Sequence, residues 1–223
     1  VMKLAAENMV RSYKRTRAQF ASDALTSETD YFMYGKKKLD RTTGDGKALF
    51  ATDHPGVRDG VAVQSNVFTN KFGQDTVMLN RLANIGRNFK NDSGNVQGYT
   101  FDTIIIPSNV PALEDFIKRV IRSELIVGSN NNDVNTQKGL WNLIVDPMWQ
   151  VTDKSEPYIL MSSQANKELM GSVFYDRVPL DVVNYVDNET RNLCWNGYCR
   201  FSAGFRNWRH VILGGAKTGT TLT

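Results

Sequence analysis

Histidine and cysteine are scarce in this chain, with two of each among 223 residues. So few cysteines exclude a disulfide-stapled secreted scaffold. Cys194 and Cys199 lie close together in "LCWNGYC". A hairpin turning at Asn196-Gly197 could bring the two thiols together, whereas free thiols in a reducing compartment are the simpler reading. His54 and His210 stand at no metal-ligand spacing, so neither a metal site nor a cofactor is expected. No apolar run reaches the roughly 18 residues of a membrane helix, and no secretory leader is visible. No membrane partner is expected, and the sequons at Asn91 and Asn188 read as chance matches.

What is present is ordinary for a globular protein: 41% hydrophobic and 22% charged residues. At this length folding should bury roughly 70% of the surface the unfolded chain exposes, which needs no staples. A net charge of +4 tolerates an anionic neighbour without demanding one.

Residues 2–25 read as an amphipathic helix. Met2, Ala6, Met9, Val10, Tyr13, Phe20, Ala21 and Ala24 recur at three- and four-residue steps, and Lys3, Glu7, Arg11, Lys14 and Arg15 fill the other face. From 28 to 70 the periodicity dissolves into a Gly- and Asp-rich extended loop, with "VAVQSNVF" as a candidate short strand. A loop of that length is uncommon in a compact domain and is usually functional or held by a partner. A second helix is expected over 76–90, with Met78, Leu82, Ile85 and Phe89 inward. "YTFDTIII" reads as a buried strand stopped by Pro107, and a third helix starts at Pro111. The rest is strand-like: "LWNLIVDP", "PYILMSS", "VFYDRVPLDVVNYV", "NLCWNGYCRFSAGF" and "WRHVILGG", then "AKTGTTLT" with the composition of a tail. Helix, long loop, helix-strand-helix and then strands give an α+β fold, not a doubly wound sheet.

Chemical motifs do not survive inspection. "DGKALFATDHPG" has a glycine and a lysine, but Ala48 follows Lys47 where a phosphate loop needs Ser or Thr, and no helix is expected after it. Asp53 and His54 could orient and deprotonate a nucleophile, yet neighbours on an extended chain point opposite ways, and no G-x-S-x-G elbow accompanies them. The carboxylates Glu114 and Asp115 sit where a helix dipole favours them. Basic runs at Arg11, Lys14, Arg15 and at Lys36, Lys37, Lys38 could meet phosphates, but the aromatic residues lie in apolar runs and do not interleave with them.

The order of these segments resembles a known family. "DGKALFATDHP" after a helix closing in "RTRAQFASDAL", then "FDTIIIPSNVPALEDFIKRVI", then "VDNETRNLCWNGYCRFSAGFRNWRHVILGG", are similar to the HK97-fold major capsid proteins of tailed bacteriophages, in particular the Mu-type major head subunits. The resemblance implies an HK97-like capsid fold: a peripheral domain with a long spine helix and long β-sheet, and an axial domain with a sheet flanked by helices. Residues 1–72 would open the peripheral domain, 73–180 would form the axial domain, and 181–223 would return through peripheral strands. The family's N-terminal arm and extended loop precede the spine helix and have no counterpart in these residues. No position matches the lysine–asparagine cross-link known in one branch.

The implied function is structural, not enzymatic: a homo-oligomeric subunit forming pentamers and hexamers of an icosahedral shell around double-stranded DNA. The virion would be its location, assembled in the cytoplasm of a bacterial host, with portal, scaffold or decoration proteins as further partners. Candidates for facing the lumen and its DNA are Lys3, Arg11, Lys14 and Arg15. Candidates for an intersubunit loop are Lys36, Lys37, Lys38, Asp45, Lys47, Asp53 and His54. The alternatives are an encapsulin-like protein compartment, a hydrolase using Asp53 and His54, and a monomeric DNA binder.

Overall fold

The computed structural model describes residues 2–56, 58–74, 77–127, 133–152 and 156–222, without the side chains of 2, 3, 5 and 74. Four helices and eight strands follow one another in it: α1 (Met2–Thr26), β1 (Tyr31–Tyr34), β2 (Lys37–Asp40), α2 (Met78–Arg87), β3 (Thr103–Pro107), α3 (Pro111–Arg122), β4 (Asn142–Asp146), β5 (Tyr158–Met161), α4 (Ser163–Leu169), β6 (Ser172–Val186), β7 (Leu193–Phe205) and β8 (Val211–Gly214). The fold is mixed α+β.

The central sheet has the order β4-β3-β5-β8. β3 pairs in parallel with β4 and antiparallel with β5, and β5 pairs antiparallel with β8. Every residue of β3 is buried, as a β-branched run covered on both faces should be. Helices α2 and α3 cover this sheet. Leu79, Leu82, Leu113, Ile117 and Val120 join Ile104, Ile106, Ile159, Leu160 and Leu213 in one core. Pro111 starts α3, where its missing N–H costs nothing, and Lys118 pairs with Glu114 one turn earlier. α4 starts at Ser162, whose Oγ accepts the Ala165 N–H at 3.3 Å, and stops at Met170 in the left-handed region.

A second layer stands on its own smaller core. β6 and β7 form a long antiparallel hairpin, with register shifts between Asp176 and Asp181 where Pro179 interrupts the ladder. Helix α1 lies along one face. Phe20 meets Phe174 and Phe201 of the hairpin and Phe32 and Tyr34 of β1, with ring centroids 5.1–6.2 Å apart. Phe205 packs against both cores and links the layers.

Several expectations need correction. The loop expected over 28–70 contains the β1–β2 hairpin, a local pairing across Gly35-Lys36. "VAVQSNVF" forms no strand; it makes single bridges from Gln64, Val67 and Phe68 to distant residues. Asn196 and Gly197 sit inside β7 facing Val183 and Val182, and the hairpin turns instead at 187–192, where the Asp187 N–H bonds to Asn192 O. The two cysteines are therefore both on β7, unpaired, and no turn joins them. The apolar run hid α4 between two strands. The expected tail is docked: Ala216 is buried and the Thr220 N–H bonds to Val67 O. On α1 it is Ser22, not Ala21, that is buried beside Phe20 and Ala24.

Candidate functional site

The segment that raised the question of chemistry, 43–56, is folded inward around His54. That ring is fully buried and stacks on Trp208, centroids 4.1 Å apart. Its Nδ1 lies 2.7 Å from Oδ2 of Asp45, and its Nε2 lies 3.2 Å from Oδ1 of Asn66. Asn66 is itself fixed, because its Nδ2 donates to the carbonyls of Leu49 and Val211 while Oδ1 accepts the Ala51 N–H. Burial pulls the His54 pKa below its ordinary value, with Asp45 opposing. Burial pushes Asp45 the other way, but hydrogen bonds from Thr43, His54 and the Lys47 N–H outweigh it and leave the carboxyl below its usual range. Asp53 takes no part. It faces solvent and pairs with Lys47. The structure thus separates the pair Asp53 and His54 and joins His54 to Asp45, an arrangement that closes a loop and leaves no open face on the imidazole.

The other histidine gave no signal in the sequence. His210 is fully buried just before β8, and its Nε2 lies 2.6 Å from Oγ of Ser172, the first residue of β6. Burial lowers its pKa to about 4, so the ring is neutral at physiological pH. Its Nδ1 makes no hydrogen bond of good geometry among the described residues, and the Asn207 backbone only partly opposes the effect of burial. A Ser–His contact suggests a nucleophile and base, but this ring is enclosed, and what the contact does is pin the base of the hairpin to the central sheet. Only contacts across 38 positions could have revealed it.

The remaining sequence candidates lie on the second layer. Arg11, Lys14 and Arg15 are exposed along α1, and the side chain of Lys3 lies outside the described residues. Arg15 rims an open cleft of 670 Å³ between α1 and residues 147–150. There Ser22 Oγ donates to Asp146 Oδ2 at 2.6 Å, and the pKa of Asp23 is raised by burial and by the nearby Asp146. Arg17 turns inward to Asp176 at 2.7 Å and lies over the Phe174 ring. Lys36, Lys37 and Lys38 form the exposed tip of β1–β2. The hairpin face turned away from α1 is uncovered and rich in large side chains: Tyr175, Tyr185 and Tyr198 are 56%, 51% and 55% exposed, with Val183 beside them. No group of three or more metal-ligating side chains occurs among the described residues, and none of their helices is long and apolar enough to cross a membrane. The layer offers surface rather than chemistry.

No protein-family model matches the chain, and no curated protein does. Among solved structures, a chain described as "Capsid of empty GTA particle computed with C5 symmetry" superposes with a TM-score of 0.52 at 9% sequence identity. The alignment covers 96% of this chain and 65% of that one, so the present chain spans about two thirds of the neighbour's length. At such identity the likeness is one of fold. The fold is capsid-like.

Proposed function

We propose that this chain is a structural subunit of a closed icosahedral shell of the HK97 type, as in the Mu-type phage heads, and that the shell encloses double-stranded DNA. The observation that carries this reading is the α1/β6–β7 layer, attached to a capsid-like fold with one broad face left bare. Apolar side chains exposed in a row on a long hairpin gain burial only from a neighbour. In this reading α1, β1–β2 and β6–β7 make the peripheral part, while the central sheet with α2 and α3 makes the part that gathers around the ring axes. Heterologous contacts that close produce the rings of five and six. Arg11, Lys14 and Arg15 face the lumen and offset phosphate charge without reading sequence. The segment around Asp45, Lys47, Asp53 and His54 supports the intersubunit surface from beneath. The reading is of a container, not an enzyme.

Light scattering and electron microscopy of the purified protein test it. Particles of uniform size with five- and sixfold rings, holding nuclease-protected DNA, are the expected result. Particles filled with protein cargo would point to an encapsulin-like compartment. A monomer at every concentration and salt would overturn the shell.

A further inference from the structure

We propose that the lysine-bearing tip of β1–β2 in one copy docks against the acidic tip of β6–β7 in the next, so that neighbouring subunits join head to tail. This rests on the shell reading above.

The first tip is a two-residue turn with Gly35 in the left-handed region at its first position, followed by Lys36, Lys37 and Lys38. All three lysines are exposed. The Lys38 ammonium lies over its own Tyr31 ring at 4.3 Å, while Lys36 and Lys37 have no ion pair among the described residues. Exposed Met33 and Tyr34 sit beside them. The second tip carries the opposite sign: Asp187 and Glu189 against Arg191, with Asp181 six residues further down β6 opposite Tyr198. Asp187 is occupied in building the turn, accepting from Thr190 Oγ1 at 2.6 Å and from the Glu189 N–H. Asp181 and Glu189 are exposed and without an ion pair among the described residues. Val183, Tyr185, Val186 and Leu193, on the strands between Asp181 and the turn, are exposed apolar side chains. Each tip thus pairs charge with apolar surface, and the charges are complementary.

The two tips cannot meet within one chain. Tyr34 touches Phe20, and Phe20 touches Phe174 near the base of β6, so the lysines stand at the base of the hairpin. From Phe174 to Asp187 the strand climbs about 40 Å at the usual rise per residue. Basic and acidic ends therefore lie at opposite poles of one layer. A contact between identical tips would set lysine against lysine or carboxylate against carboxylate. Unlike tips match in sign either reciprocally across a two-fold or head to tail. The ring-forming shell uses the head-to-tail form, which links subunits into a ladder where the two-fold form stops at a dimer.

Two variants reverse the charges separately, Lys36→Glu/Lys37→Glu/Lys38→Glu and Asp181→Lys/Glu189→Lys, and a third combines them. Each separate reversal is expected to cut particle yield by about tenfold or more, since like charges across an interface are costly. The combined variant is expected to recover particles. Circular dichroism on each confirms a folded subunit. A chain with Cys194→Ser and Cys199→Ser, carrying Lys37→Cys and Glu189→Cys, is expected to give an oxidised ladder of linked subunits. If the unaltered protein forms particles but both reversals assemble equally well, or the combined variant fails to recover, or no ladder forms, this contact is wrong and the shell stands. If the unaltered protein forms no particles, the shell reading falls and this contact with it.

Discussion

His210 shows what a single enclosed side chain imposes on the whole fold. The ring resists protonation until about pH 4, whereas in the unfolded chain it protonates near its ordinary 6.5. Between those values the unfolded state binds the extra proton and the folded state does not, so stability rises with pH across that window. As pH falls from 6.5 to 4 the subunit should lose about 3 kcal/mol through this group, and nothing further through it below 4. Urea midpoints at pH 7 and pH 4.5 measure this, and His210→Gln should flatten the difference; an unchanged slope would remove His210 as the cause. Neither Ser172 nor this neutral state was legible in the sequence, because the partners meet only when the chain closes. Gly86 teaches the same lesson. A glycine inside α2 costs the helix about 1 kcal/mol by itself, and its reason is spatial: a Cβ there would lie 2.2 Å from the Phe101 ring.

Helix α1 lacks basic residues in its last turn, so the partial negative charge of its final carbonyls has no cation of its own to offset it. Arg41, from just beyond β2, supplies the missing charge. Its guanidinium is buried and donates to the carbonyls of Ala24, Leu25 and Thr29, the last two at 2.6 and 3.0 Å. Burial lowers its pKa to about 9, so it stays charged at neutral pH. Arg41→Ala should destabilise the subunit by about 3 kcal/mol, because buried carbonyls lose a charged donor. Arg41→Lys should recover little, since one ammonium cannot reach three carbonyls as a planar fork does. Chemical denaturation of both variants checks this, and a loss below about 1 kcal/mol for the alanine variant would count against the cap. The elements themselves were largely readable. Periodicity located α1, α2 and α3, and the β-branched run located β3, because in each case the stripe or run facing the core is written in consecutive residues. The β1–β2 hairpin was not, since each strand has only four residues and β2 is mostly charged. The β6–β7 turn was misplaced because Asn196-Gly197 is a turn signal that the twelve-pair ladder between the two strands overrode. Of the candidate site, the basic residues were visible by composition, whereas the bare aromatic face depends on which side of the hairpin α1 covers.

At the scale of the molecule, two cores of unequal size share one chain. The larger holds the central sheet, and the smaller rests on Phe20, Ala24 and Phe32 with partial cover from the hairpin. Regions with few buried contacts open at lower free energy. The free chain should therefore exchange the amides of α1, β1–β2 and β6–β7 faster than those of β3 and β5, and on the proposed shell reading particles should protect the first group selectively. Hydrogen exchange by mass spectrometry reads this directly; uniform protection in free subunits would contradict a layer that waits for a neighbour. The bond from Asn66 Nδ2 to Val211 O spans 145 positions, and Leu213 lies against Val67 just beyond it. On a ribosome, the stretch around Leu49 and Phe68 must wait on the order of ten seconds for its companions to be translated. A nascent chain cannot finish its interior early: the first half of the core stays open until β8 has been made, and on the shell reading, premature partnering between half-made copies is discouraged by the order of synthesis itself.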